Sequence, residues 1–496
     1  MNKYYISTRD ANIKINAKQA IIKGFSDDKG LFVLPHLSEN KVDLPTLIKK
    51  DYQGMAAEVL RILLPDFSNE EIDQCLHNAY DHSFSDDRIT PIKDVDNFHV
   101  LELFHGPTSA FKDVGLQLLP ELMRTALTPE QRVMILAATS GDTGTAALAG
   151  FKDTDQMGIS VFFPDGGVSP IQKQQMLTTK GANTNVAAID GNFDDAQTNV
   201  KQIFNDADLK AKLGSNISLS SANSINIGRL IPQIVYYFNA YKQLVANQQV
   251  ELGQPVSFTV PTGNFGDVLA GYYAKMLGLP VEKLVVACNS NKVLADFFEN
   301  GVYDRNRPFF KTVAPSMDIQ ISSNFERLLF YKSGEDSSAI KALMDQLETS
   351  GKYQVSPELL ASIQADFECG YSDDAQIEAS IKEVFERDHY LMDPHTASGY
   401  SVMRAAQAKH PETPMVLLST ASPYKFVDAV ADAVMGHHEA NAIDTTKALF
   451  DFTRVAVPEN LAKVWSLPED QAPVIEPDQM AEFVYERSME VFKNHD

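Results

Sequence analysis

Short apolar runs recur along the middle of the chain, each ended by a polar or glycine-rich loop and followed by a helical pattern. Val133–Ala138, Ile159–Phe163, Val186–Ile189, Ser257–Val260, Leu284–Ala287 and Met415–Leu418 suit strands covered on both faces. Thr145–Phe151, Val168–Thr179, Phe193–Phe204, Leu230–Ala246, Val268–Leu277 and Phe426–Met435 read as the helices between them, with Pro232 fitting a first helical turn. This alternation predicts an α/β fold with parallel sheets. The flanks differ. Residues 1–97 mix short apolar runs with helical patterns such as Leu44–Leu64, and a turn at Asp27–Gly30 precedes a short strand, Leu31–Leu34. From about Arg305 to Asp388 the pattern weakens into charged helical stretches, of which Ser316–Tyr331 is the most ordered-looking. A length of 496 residues exceeds what one core supports. The expected division is an accessory domain at 1–97, a two-lobed core at 98–435 and a C-terminal appendage at 436–496.

Composition narrows the function classes. The chain carries 43 basic and 66 acidic side chains, a net charge of −23 that repels nucleic acid and anionic lipid in the absence of a basic patch. No apolar run approaches the roughly 18 residues of a membrane span. The first residues lack both an apolar signal region and an arginine-rich leader, so the cytoplasm is the expected location. Cys75, Cys288 and Cys369 are distant in sequence and lack ligand spacing, which predicts reduced, buried thiols. The His437-His438 pair lacks flanking carboxylates or thiols in register and reads as a solvated helix end, so no metal site is expected.

The chemistry concentrates in loops. In His105-Gly-Pro-Thr-Ser-Ala-Phe-Lys-Asp113 a turn leads into Lys112, set among Phe111, Val114, Leu116, Leu118 and Leu119. A helix starting near Phe111 half-buries its amine, and both desolvation and the positive helix end favour the neutral, nucleophilic form. Alone, Lys112 reads as a snorkelling surface lysine, as most lysines do. Gly263-Asn264-Phe265-Gly266-Asp267 opens a helix with two glycines where backbone can approach a phosphate, or is an ordinary glycine turn capped by Asp267. Ser140 and Thr143, around Asp142, start another helix and suit a carboxylate, or simply cap it. Asn223, Ser224, Asn226 and Arg229 supply two amides, a hydroxyl and a guanidinium, fit for a second phosphate or for a plain polar loop. Ser419-Thr420 closes a strand end.

Taken together and in this order, these segments resemble the threonine synthases, over roughly residues 1–430, most specifically at Lys112, at 263–267 and at 223–229. The resemblance implies a parallel-sheet, two-lobed pyridoxal-phosphate fold (fold type II) with an N-terminal accessory domain. It implies pyridoxal phosphate attached to Lys112, its phosphate in the 263–267 loop and its pyridine nitrogen on Thr420, where a hydroxyl makes the ring a weaker electron sink than a carboxylate does. Asn223, Ser224, Asn226 and Arg229 are implied to hold the phosphate of O-phospho-L-homoserine, and the activity implied is its conversion with water to L-threonine and phosphate. Related enzymes often carry an amide at position 142; an ionised Asp142 repels the cofactor's ring oxygen, so it either shares a proton or points elsewhere. The family's Ala-His-Pro-Ala-Lys-Phe run is Ala421-Ser-Pro-Tyr-Lys-Phe426 here, so no histidine role carries over. A related lyase or dehydratase, or a non-catalytic phospholigand-binding homologue, is the alternative. Monomer and homodimer stay open.

Overall fold

The computed structural model describes residues 3–191, 193–468 and 470–493. Two sheets form the main body of the chain. The larger has six strands in the order Phe367–Tyr371, Val281–Cys288, Val256–Pro261, Met415–Ser419, Phe98–Glu102, Ile92–Val95. All its neighbours run parallel except the last pair, an antiparallel hairpin. The smaller is wholly parallel, in the order Val474–Ile475, Thr184–Ile189, Met157–Pro164, Arg132–Ala138, Ile217–Ser221. Central strands such as Val256–Pro261 and Met157–Pro164 are buried at every residue because helices cover both faces. That is why they read as unbroken apolar runs.

The accessory segment builds a three-stranded antiparallel sheet from Tyr5–Ser7, Lys14–Ile15 and Phe32–Val33, with helices Ala17–Lys23, Tyr52–Leu63 and Asn69–Tyr80. The last of these starts at a capping box in which Ser68 and Glu71 satisfy each other's backbone N–H. Tyr52–Leu63 packs on the core helix Ile234–Ala246, and Asn69–Tyr80 packs on Lys112–Ala126. Leu60, Leu63 and Leu76 thereby join Leu118, Ile234 and Phe258 in one continuous apolar cluster.

Three features depart from the sequence reading. The strand Ile92–Val95, on the accessory side of a division at residue 97, belongs to the larger core sheet. Within the stretch read as charged helices, Phe367–Tyr371 forms that sheet's other edge, and Lys352–Gln354 pairs with Val302–Asp304. The C-terminal stretch is woven in: Val474–Ile475 extends the smaller sheet beside Ala188 and Ile189, and helix Met480–Phe492 packs against Met157–Pro164. No helix among the described residues is long and apolar enough to cross a membrane.

Candidate active site

A cavity opens at the carboxyl ends of the strands, where both sheets release their loops. Lys112 lies in it, and the path of residues 105–113 explains how. Asp113 is buried and accepts from the Thr108 N–H at 2.9 Å and the Thr108 hydroxyl at 2.6 Å, folding the segment around its own carboxylate. Gly106 is required there, since a Cβ would stand 2.4 Å from that of Asp113. The chain then runs antiparallel to 420–422: Phe111 N–H donates to Thr420 O at 2.8 Å and Ser422 N–H to Ser109 O at 3.0 Å. Lys112 therefore starts the helix Lys112–Ala126 directly beside Thr420.

The Lys112 side chain is 8% exposed. Burial lowers its pKa to about 8; Asp142 raises it in part, while Arg229 and Lys425 lower it further. Asp142, the first residue of the helix Asp142–Phe151, has both oxygens committed. Lys425 Nζ stands 2.9 Å from one oxygen, which also accepts from Gln172 Nε2 at 2.8 Å, and Lys112 Nζ is 3.5 Å from the other. Burial alone raises the pKa of this carboxyl, but the Lys425 and Lys112 ammonium groups outweigh it and hold Asp142 far below the usual carboxylate range. The sharing of a proton by Asp142 gives way to an ionised carboxylate held between two lysines. Lys425 itself is fully buried, with Thr108 O at 2.8 Å as a further acceptor.

The 263–267 loop presses against a neighbouring segment. A Cβ at Gly263 would lie 2.5 Å from Ser316 O, and one at Gly266 would lie 3.0 Å from Ser224 Cβ. The carbonyls of Gly263 and Asn264 turn away from the cavity to accept from Ser322 Oγ at 2.7 Å and Asn324 N–H at 3.0 Å. Phe265 adopts a left-handed conformation, φ 61°, and leads into the helix Gly266–Met276, whose first N–H groups have no intrahelical acceptor. Burial raises the Asp267 carboxyl to about 7, although the Tyr236 and Tyr237 hydroxyls donate to it at 2.5 and 2.9 Å.

Ser140, Thr143, Asn223, Ser224, Arg229 and Thr420 line the same cavity. Arg229 packs over Gly115 of the lysine helix, donates through Nη1 to Ala222 O at 2.9 Å, and leaves Nε buried without a partner. Burial lowers its pKa to about 10, which keeps it cationic at neutral pH. Asn226 is the exception. Its side chain caps Gly228 N–H at 2.9 Å and donates to Ile21 O and Ser221 O, so it ties the loop to the accessory helix and stays out of the cavity. A polar residue three positions before an arginine looked like a ligand; its amide was needed by backbone.

Two further groups escaped the sequence reading. His395 lines the cavity, held by the buried Asp393 at 2.7 Å through Nδ1, while its Nε2 accepts from Ser316 N–H at 3.1 Å. Asp393 also accepts from Thr396, whose hydroxyl in turn meets Ser419 and the Thr420 N–H, so one carboxylate braces both walls. Ser422 and Tyr424 act locally: Ser422 Oγ caps Tyr424 N–H at 3.3 Å, and the Tyr424 hydroxyl reaches Val455 O at 2.6 Å. The described residues contain no group of three or more potential metal ligands.

Comparison with known proteins gives this arrangement its context. Residues 4–80 match the family model described as threonine synthase N terminus, 87–421 that of pyridoxal-phosphate dependent enzymes, and 396–484 that of threonine synthase, C-terminal. The chain is 39% identical over 467 residues to threonine synthase of Pseudomonas aeruginosa, covering 93% of this chain and 97% of that one. It is 35% identical over 502 residues to the Saccharomyces cerevisiae enzyme, covering 94% of each. The chain belongs to the threonine synthase family. A crystal structure of PLP-bound threonine synthase from Brucella melitensis superposes with a TM-score of 0.86 at 38% identity, covering 98% of this chain and 99% of that one. This family member also spans 60% of the length of the threonine synthase-like 1 protein of Macaca fascicularis, at 38% identity over 453 residues.

Pyridoxal phosphate is the family cofactor, and the cavity fits it. Asn264 Oδ1, Asp267 Oδ2 and Arg229 Nε are buried without a partner, and all three belong to residues that line this one space. Buried polar atoms are rarely left so unless something else meets them. The desolvated Lys112 amine faces the same space.

Proposed function

We propose that the chain converts O-phospho-L-homoserine and water to L-threonine and phosphate, with Lys112 as the catalytic residue. The observation that carries this is that one cavity is lined both by the 263–267 loop and by Asn223, Ser224 and Arg229 of the adjoining segment, which we read as two anion sites. Bound pyridoxal phosphate supplies an electron sink that lets a proton leave the substrate's α-carbon. Residues 263–267 would hold its phosphate through backbone N–H groups, and the Thr420 hydroxyl would be the partner of its ring nitrogen.

Arg229 and the amide and hydroxyl of Asn223 and Ser224 hold the substrate phosphate; the Ser140 and Thr143 hydroxyls and the amides of that helix start hold its carboxylate. Lys112 Nζ, neutral in part at neutral pH because it is desolvated, takes the α-proton and one β-proton and delivers one proton to Cγ and one back to Cα. The bond from Cγ to the phosphate oxygen breaks while Arg229 neutralises the departing charge, and water adds its oxygen and one hydrogen at Cβ while its other proton passes to the released phosphate. Asp142 stays paired with Lys425 throughout, so its negative charge is balanced while Lys112 is engaged. A reducing compartment, the cytosol, suits the three free thiols.

The test is incubation with O-phospho-L-homoserine, measuring phosphate release and identifying the amino acid formed. Threonine in equal amount to phosphate is expected, and Lys112→Ala should abolish both while keeping the fold. Release of phosphate with a keto acid instead of threonine would point to a dehydratase-type lyase.

A further inference from the structure

Two buried residues behind the cavity, Asn324 and Arg327, meet both anion-binding loops although neither side chain lines the cavity. They sit at the start of the helix Phe325–Lys332. Asn324 donates through Nδ2 to Ser224 Oγ at 2.9 Å and to Asn264 O at 3.0 Å, and its backbone N–H also donates to Asn264 O at 3.0 Å. Arg327 is 0% exposed. Its guanidinium donates to Ile225 O at 2.6 Å, Ser224 O at 3.3 Å, Asn324 Oδ1 at 2.5 Å and, from Nε, to Phe32 O at 3.0 Å.

The neighbouring Glu326 does not pair with it. That carboxylate accepts from Arg9 Nε and Nη2 at 3.0 and 2.9 Å and from the Thr8 hydroxyl at 2.5 Å. The partners of Arg327 are therefore three backbone carbonyls and an amide oxygen. Burying a cation on such partners costs more than burying a neutral amide. What the guanidinium adds is a rigid fork that spans backbone carbonyls from two separate segments, Phe32 and 224–225, and a positive charge placed directly behind a loop read as binding an anion. The two loops already touch, with Ser224 Cβ only 3.0 Å from where a Cβ on Gly266 would stand. A small shift of one relative to the other would change the separation of their anion sites.

We propose that Asn324 and Arg327 are positioning residues that fix the spacing between the substrate-phosphate loop at 223–226 and the cofactor-phosphate loop at 263–266. Through Phe32 O, Arg327 couples this spacing to the accessory segment. The proposal rests on the reading of the two loops as anion sites, and the experiment separates the two claims.

In the holoenzyme, Arg327→Lys keeps a charge but loses the fork, and Asn324→Ala loses the contacts to both loops. KM for O-phospho-L-homoserine, the inhibition constant of inorganic phosphate, cofactor retention and affinity for L-2-aminobutyrate, which has no phosphate, are read for each. Arg327→Lys should raise KM and the phosphate inhibition constant about tenfold or more, with cofactor retention and 2-aminobutyrate affinity within about threefold of the parent. Asn324→Ala should move phosphate inhibition and cofactor retention together. Unchanged KM and phosphate inhibition in both variants overturns the proposal. So does an equal loss in every parameter together with a lower melting temperature, which marks a plain structural clamp. If Arg327→Lys does not fold, Asn324→Ala alone decides on the same criteria. Absence of phosphate inhibition in the parent enzyme would instead sink the assignment of the substrate-phosphate loop.

Discussion

The depressed pKa of Lys112 makes a prediction that can be read without turnover. Burial brings the amine to about 8, against about 10.4 for an ordinary lysine. At pH 7.5 about a quarter of the amine is then neutral, whereas an unperturbed lysine is neutral at about 0.1%, a difference of roughly two hundredfold in reactive form. In enzyme stripped of cofactor, the second-order rate of pyridoxal phosphate capture, followed by stopped-flow absorbance, should climb tenfold per pH unit below about 8. It should level off by about pH 9. Because Asp142 supports the ammonium form and Lys425 opposes it, Asp142→Asn should move the inflection to lower pH. A rate that goes on climbing tenfold per unit through pH 10 would show that the site does not desolvate Lys112, and the argument from burial would fail.

Three further outcomes follow from the geometry. Gly263→Val places atoms against Ser316 O, where a Cβ alone would already lie at 2.5 Å, and should weaken cofactor retention at least tenfold in equilibrium dialysis. Arg229→Ala removes a charge-assisted contact worth about 1.5–3 kcal/mol, so kcat/KM for O-phospho-L-homoserine should fall about ten- to hundredfold with the cofactor's visible absorbance retained; lysine at this position should restore only part, lacking the fork. Lys425→Met leaves the ionised Asp142 with its nearest countercharge gone and should cost about 3–5 kcal/mol in urea unfolding at pH 7, with a second change, Asp142→Asn, recovering part of the loss.

What could be read from the chain was local. The buried parallel strands announced themselves as apolar runs, and Lys112 and the 263–267 loop each carry their chemistry within a few residues. The misses are relations between distant segments. Lys425 becomes a buried cation only because Asp142 and Thr108 fold against it, and a lysine between Tyr424 and Phe426 gives no sign of that. Arg327 and His395 take their roles from carbonyls and amides some 80 to 295 positions away. Phe367–Tyr371 is a short, half-exposed edge strand with a glutamate in it, so its pattern never alternates cleanly. Asn226 was misread for the opposite reason: its type fits a ligand, but backbone used it first.

The order of strands in the larger sheet sets a timetable for synthesis. Phe98–Glu102 pairs on one side with Ile92–Val95, its immediate predecessor, but on the other with Met415–Ser419. The second partner is translated about three hundred residues later, on the order of 15–60 seconds at typical rates. Until then an apolar strand that carries the turn to Lys112 presents an open edge, the kind that pairs with the wrong chain. The nascent protein should therefore depend on chaperone shelter through most of its synthesis, and its reactive lysine should come into place only when the ribosome has nearly finished.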